Sequence, residues 1–327
     1  MTTATVVTFH ETGGPEVLRV EPAEVGDPGP GEVRLRHEAV GLNFADTYFR
    51  TGLYPAPLPA GIGVEAAGVV EAVGSGVAGL DEGDRVAYTG SPLGAYSTAR
   101  LVPADCLIRL PEGIDAEIAA ASTMRGLTAA YLLRRIAPGL TSGDTVLLHA
   151  AAGGVGQIVS QWARLLGLTV IGTVSSDAKA DVAKAYGCAH TIVYPREDVA
   201  DRVREITDGV GVPVVYDSIG ATTYAGSLAS LRRRGLLVCF GTASGPVPPI
   251  DAMQLAVAGS VFVTRPALAD YIADPAERSA LAGELHDHLL AGRIRVDVNQ
   301  RYALDDAVQA HRELESGRTT GSSVFTI

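Results

Sequence analysis

Cysteine is scarce in this sequence. Only Cys106, Cys188 and Cys239 occur among 327 residues, odd in number and far apart. None stands in a CxxC spacing, which argues against a disulfide framework and a structural zinc site. No charge-free run of about 18 apolar residues is present, so no transmembrane helix is expected. The opening stretch MTTATVVTFHETGGPEV lacks a basic flank followed by an apolar core. No secretory signal is therefore expected there, and the chain reads as cytoplasmic. Positive charge is also short: 26 Lys and Arg against 37 Asp and Glu, a net charge of −11. Such a chain repels nucleic acid and anionic membrane unless its bases gather in one patch. The densest cluster, Arg232, Arg233 and Arg234, reads as a solvated helix end before a strand. Internal repeats and low-complexity segments are absent.

What is present describes a packed globular protein. Apolar residues make up 47% and charged residues 19%, unlike a disordered chain. The length favours two domains. The 38 glycines follow no collagen period and imply tight turns and close backbone approaches.

The rhythm of the sequence changes near residue 126. Before it, short β-like runs at 33–37, 66–73, 85–88 and 95–102 are separated by turn clusters such as GDPGPGE and LDEGD, the pattern of a barrel or sandwich. After it, strand-like runs at 145–149, 169–174, 191–194, 212–217, 236–240 and 260–263 alternate with helical stretches, among them 157–166 and 178–186. That alternation predicts a parallel sheet with helices on both faces. Beyond 266 come a helical stretch, the segment 293–298, a short helix, and a last strand at 322–327 that returns to the first domain. The expected architecture is α/β: a doubly wound Rossmann sheet, residues 126–265, inserted in a barrel-like substrate domain, residues 1–125 and 266–327.

The most informative motif is LLHAAAGGVGQIVSQWA at 147–163. A strand runs into a loop of small residues, and a helix opens directly after it. Gly153, Gly154 and Gly156 allow a sharp turn, close approach to a pyrophosphate and tight helix-to-strand packing. The helix start offers free N–H groups and a positive dipole to the anion. A dinucleotide is the expected ligand. The second strand ends in Val174, Ser175 and Ser176, with no acid to hold ribose hydroxyls. Lys179 and Tyr194 lie nearby, a cation and a hydroxyl that suit a 2′-phosphate, so NADPH is favoured over NADH. Asp177 fits either a ribose-binding acid or a helix N-terminal residue favoured by the dipole. Lys179 equally fits a solvated surface lysine.

These motifs resemble the zinc-free, zeta-crystallin-like quinone oxidoreductases of the medium-chain dehydrogenase/reductase superfamily. The resemblance rests on Gly143, Asp144, Leu147, Ala151, Ala152, Gly153, Gly154, Gly156, Gln161 and Arg164. It extends through GGPEVL, NFADTYFRTGLYP, GVEAAGVVEAVGSGV, GDRVAY, GAYS, YDSIG, RRGLLVCFG and VTRP. It implies a GroES-like β-barrel around the inserted Rossmann domain, NADPH as cofactor and a quinone as substrate. Asn43, Tyr48 and Tyr54 would line the nicotinamide and substrate pocket. Thr128 and the loop Ala152, Gly153, Gly154 and Val155 would meet the nicotinamide side and the pyrophosphate. Ser176, Lys179 and Tyr194 would surround the adenosine phosphate. Phe240, Gly241, Ser244, Val263 and Arg265 would cover the other end, and Ser323 would complete the site. Relatives of this kind pair through the edge strand of the Rossmann sheet, here near 260–263, so a homodimer is expected.

Against the zinc-dependent branch, Gly63-Val64-Glu65 carries valine where those enzymes carry histidine, and Asn43 stands at their first cysteine. No metal is expected. His149, at a strand end, reads as structural. A quinone is already a strong electrophile, so orientation beside the nicotinamide and exclusion of water would supply most of the catalysis. Tyr48 and Tyr54 are candidate hydrogen-bond donors to the quinone oxygens, and Arg265 would offset developing negative charge. No Ser-His-Asp order, paired acid/base carboxylates or nucleophilic cysteine is evident. The main alternative is an enone or enal reductase, with Tyr48 as proton donor. A non-enzymatic, RNA-binding role conflicts with the acidic charge and the missing basic, aromatic-interleaved patch.

Overall fold

The structure is a computed structural model that describes residues 2–90 and 92–327. The chain divides into two compact units. The first takes in the chain up to Leu127, then Ile272–Gly292 and Val296–Ile327. The second is Thr128–Tyr271 with Arg293–Arg295.

In the second unit, the β-branched and leucine runs of the sequence become a six-stranded, wholly parallel sheet. Its spatial order is His190–Val193, Thr169–Val174, Thr145–Leu148, Val212–Asp217, Leu231–Cys239 and Phe262–Thr264. Counted along the chain this is third, second, first, fourth, fifth, sixth. The order reverses between Thr145–Leu148 and Val212–Asp217, where doubly wound sheets open a crevice at their carboxyl ends. Near-continuous burial of Val146, Leu147, Leu148, Val170 and Ile171 is what a strand covered on both faces requires.

The first unit is mostly antiparallel. One sheet runs Val298–Tyr302, Ser322–Thr326, Glu32–Leu42, Glu65–Val73, Arg85–Thr89 and Ile108–Arg109, with Ala99–Pro103 also paired to Glu32–Leu42. A smaller one joins Leu18–Val25, Thr2–Phe9 and Ala60–Gly61. Phe9, Leu35, Leu42, Ile62, Tyr88, Tyr96 and Phe325 are among the buried side chains of their common core.

Three local expectations need correction. The run 95–102 is a strand only over Ala99–Pro103. Its first part crosses between partners: Val7 N–H donates to Tyr96 O, Thr98 N–H to Thr5 O, and His37 N–H to Thr98 O. The segment 293–298, for which the sequence pattern predicts no element, stays irregular up to Val298. Arg295 instead gives its N–H to the Gln161 side chain and accepts a bond from it, both at 2.9 Å, and the strand begins at Val298. The three arginines at 232–234 lie inside the strand Leu231–Cys239 rather than at a helix end. The preceding helix stops at Ser230, and Arg234 takes a positive φ of 58°. The edge strand starts at Phe262 rather than Ser260, because Ser260 also has a positive φ, 57°. The helix Ala116–Tyr131 has no signal in the periodicity. Residues 119–123 and 125–131 are buried without interruption, so no polar stripe marks it.

Candidate functional site

The second unit builds a phosphate loop where the glycine motif predicts one. The strand Thr145–Leu148 ends, Ala150 takes φ 53°, and the helix Gly154–Leu165 starts behind Gly153. Gly153 at the N-cap provides no side-chain oxygen, so no side chain caps the helix start. That is the condition under which an anion can take the helix N–H groups. The loop is set from inside: Ala151 N–H donates to Thr173 O, Gly153 N–H to Ala150 O, and Gln157 Nε2 to Ala152 O at 2.9 Å. Gly156 is the packing glycine. A Cβ there would lie 2.5 Å from Ala150 O and 2.7 Å from Ala151 Cα, closer than real side chains approach.

Beneath this loop lies a polar network that no sequence motif announces. His149 is buried between Thr173 Oγ1 and Ser227 Oγ, each 2.9 Å away. Ser227 donates onward to Asp217 Oδ2 at 2.6 Å. Asp217 also accepts from Thr223 Oγ1 and from Ile219 and Gly220 N–H. One histidine thus ties the carboxyl ends of three adjacent strands. Burial lowers its pKa, opposed by Asp217, so it sits there neutral. Ser227, His149 and Asp217 are all buried, which suits a brace rather than a hydrolytic triad.

The other residues expected in this unit fall into local groups. Ser176 caps the helix Asp177–Ala185 by accepting from Lys179 N–H at 3.3 Å, and Asp177 is the first helical residue. Desolvation lowers the pKa of Lys179. Tyr194 follows the neighbouring strand, donates its N–H to Val174 O and is 52% exposed. Phe240 N–H donates to Asp217 O. Gly241 packs where a Cβ would lie 2.5 Å from Ser218 O. The Ser244 hydroxyl bridges Thr222 and Ile219 O. Val263 pairs with Leu237, and Arg265 Nη1 donates to Pro266 O. Thr128 is buried.

In the first unit, Asn43 precedes the short helix Phe44–Arg50 and donates its side-chain amide to Glu65 Oε2 at 2.7 Å. Glu65 is fully buried and also accepts Met124 N–H, while Arg125 Nη1 lies 3.6 Å away. Burial raises its pKa to about 6, against the pull of Arg125, Asn43 and two backbone N–H groups. Asp46 accepts from Asn43 N–H and from the Tyr96 hydroxyl, both at 2.8 Å. Tyr48 and Tyr54 do come together, with ring centroids 5.1 Å apart edge to face. Tyr54 N–H donates to Tyr48 O, which fixes the turn between them. Ser323 gives its hydroxyl to Gln300 Oε1 at 2.8 Å and pairs in register with Leu42. Sequence reasoning assigned no role to Asp46, Glu65 or Arg125. The motif Gly63-Val64-Glu65 was the available signal for the second of them. Among the described residues, no group of three or more His, Cys, Asp or Glu side chains is arranged to hold a metal ion.

Comparison with known proteins agrees with both units. A zinc-binding dehydrogenase model matches residues 154–274, and an alcohol dehydrogenase GroES-like domain model matches residues 29–112. A quinone oxidoreductase of Pseudomonas aeruginosa is 52% identical over 98% of each chain. The crystal structure of Escherichia coli quinone oxidoreductase complexed with NADPH superposes with a TM-score of 0.97 at 47% identity, covering 99% of this chain and 100% of that one. A 2-haloacrylate reductase of a Burkholderia species is 46% identical over 97% of each chain. The chain belongs to the quinone oxidoreductase, zeta-crystallin-like group of the medium-chain dehydrogenase/reductase superfamily.

Proposed function

We propose that this protein is an NADPH:quinone oxidoreductase. The reading is carried by the phosphate loop at 150–156, uncapped and too tightly packed at Gly156 for any side chain, in a chain half identical to quinone oxidoreductases along its whole length. Residues 126–265, the greater part of the second unit, are the proposed NADPH domain. Residues 1–125 and 266–327 form the substrate domain.

The donor set fits the cofactor. The loop Ala152 to Val155 and the helix start behind it suit a pyrophosphate. Ser176, Lys179 and Tyr194 suit a 2′-phosphate. Within this unit, Thr128, Phe240, Gly241, Ser244, Val263 and Arg265 are assigned the rest of the dinucleotide. Bound NADPH supplies two electrons and one hydrogen from nicotinamide C4. The protein's own work is to hold, orient and dry the reactants. Tyr48 and Tyr54 donate hydrogen bonds to the quinone oxygens as charge builds there. Asn43 is held rigidly by Glu65, which makes it a precise contact rather than a mobile one.

The test is loss of reduced-nicotinamide absorbance with benzoquinones, naphthoquinones and short enals. Fast turnover of quinones with NADPH, and slow turnover with enals, is expected. Idle quinones with fast enals would replace this reading by an enone reductase. That second reading is favoured by the likeness to the 2-haloacrylate reductase, whose name gives an activated alkene as substrate.

The protein works in the cytoplasm as a homodimer, without nucleic-acid or membrane partners. Among the described residues no helix is long and apolar enough to cross a membrane. The edge strand Phe262–Thr264 has a neighbour on one side only. Phe262 is 62% exposed, and Met253 and Val257 are also exposed nearby in sequence. Such an edge invites pairing with a second copy. Sedimentation as a single monomer at micromolar concentration would remove the dimer.

A further inference from the structure

Asp177 and Arg196 form a bidentate pair on the surface of the nucleotide unit. Arg196 Nη1 donates to Asp177 Oδ2 at 2.7 Å, and Nη2 donates to Oδ1. The two residues follow adjacent parallel strands. Thr169–Val174 and His190–Val193 end level, with Val174 opposite Val193. Arg196 is tied back by its N–H to Val193 O. The pair therefore spans the two strand ends that also carry Ser176, Lys179 and Tyr194. Its side chains are 58% and 71% exposed, so it contributes little to folding stability. The other acid of this turn, Glu197, is engaged elsewhere: it accepts Val193 N–H and pairs with Arg202.

An acid in this place has a definite effect on cofactor choice. A free carboxylate just past the second strand accepts ribose hydroxyls and repels a 2′-phosphate. The fork of Arg196 occupies both oxygens of Asp177 and cancels its charge. A guanidinium has five N–H donors, of which this pairing uses two, so others remain for a phosphate oxygen. Arg196 also holds the Asp177 carboxyl below its usual pKa, which keeps the pair ionised at neutral pH.

We propose that Arg196 determines specificity for the phosphorylated dinucleotide, by shielding Asp177 and by offering its remaining donors to the 2′-phosphate. This rests on the proposed placing of the 2′-phosphate beside Ser176, Lys179 and Tyr194. It concerns residues to which the glycine motif and the resemblance assign no phosphate contact.

The test is titration calorimetry of NADPH and NADH with wild type, R196A, D177A and R196A/D177A, at low and physiological salt. We expect R196A to weaken NADPH about 10-fold or more, the size of a lost charge-assisted bond with a repulsion added. NADH affinity should stay level or rise. D177A should leave NADPH within about twofold, and the double variant should regain part of the loss, since the repelling acid is gone. An unchanged NADPH-to-NADH ratio in R196A would overturn the role of Arg196 while leaving the cofactor site standing. A double variant as weak as R196A would overturn the shielding. A wild type that binds both dinucleotides equally would overturn the 2′-phosphate site itself.

Discussion

The Tyr96 hydroxyl donates to Asp46 Oδ2 at 2.8 Å, and both residues are completely buried. The bond is the inner end of a chain with one consistent direction. Arg50 Nη1 lies 3.0 Å from His311 Nδ1, and His311 Nε2 lies 3.1 Å from the Tyr96 oxygen. Arginine can only donate. His311 is therefore neutral with its proton on Nε2, which it gives to Tyr96, and Tyr96 gives its own to Asp46. Burial, with the Arg50 charge, pushes the His311 pKa down to about 3. Asp46 Oδ1 is buried without a hydrogen-bond partner, and burial raises this carboxyl to about 7.

That shift predicts a pH effect of definite sign. The folded chain holds a proton on Asp46 between its ordinary 3.8 and about 7, where the unfolded chain has released it. This contribution to stability is fully present below 3.8 and is lost as pH rises through 7. Glu65 acts in the same direction up to about 6. His37 and His311, held neutral by burial, act oppositely below 6.5. The Asp46 part is therefore read as a difference. Urea midpoints at pH 5 and pH 8 should show D46N gaining on wild type as pH rises, and parallel behaviour would refute the assignment.

Gly156→Ala should weaken NADPH binding about 10-fold or more and lower stability by roughly 1–3 kcal/mol, the usual cost of overpacking. The new methyl would strike backbone atoms of Ala150 and Ala151, and these cannot yield without moving the loop. Gly226→Ala is the matched control. Beyond its chain neighbours and the backbone of its own helix Tyr224–Ser230, no atom lies within 4 Å of its Cβ position, so it should be neutral or stabilising by up to about 1 kcal/mol. Thermal melts and calorimetry of both variants decide the matter.

Ser227→Ala should cost about 1–3 kcal/mol, because it strips a bond from both His149 Nε2 and Asp217 Oδ2 in a buried setting. Ser227→Thr keeps the hydroxyl and should recover part of the loss. If S227A melts like wild type, the brace under the phosphate loop is not a stabilising element.

Tyr48→Phe should lower kcat/KM for quinones roughly 10-fold, with KM for NADPH within about twofold, if the hydroxyl meets only developing charge on the substrate. With enals the loss should reach about 100-fold or more, since a proton must then reach carbon. Equal rates for wild type and Y48F on both substrates would remove Tyr48 from the reaction. Tyr54→Phe separates the two rings, whose edge-to-face contact would otherwise let one stand in for the other.

What the sequence determined by itself is what local chemistry controls. Small residues followed by a helical run place the phosphate loop, because only glycine fits where Gly156 meets Ala150 and Ala151. Alternating strand and helix patterns produce the parallel sheet, because buried strands need unbroken apolar runs. The edge position of the last strand near Val263 and the helix N-terminal place of Asp177 followed in the same way. What only the tertiary structure decided depends on partners far apart in the chain. Gln161 reaches Arg295 across 134 residues and removes its backbone from strand pairing. His149 finds Ser227 78 residues on, and Asn43 finds Glu65. Arg196 closes on Asp177 only because two parallel strands end side by side. Burial then sets the ionisation of Asp46 and Glu65, and desolvation is a property of the packed fold that no run of residues carries within itself.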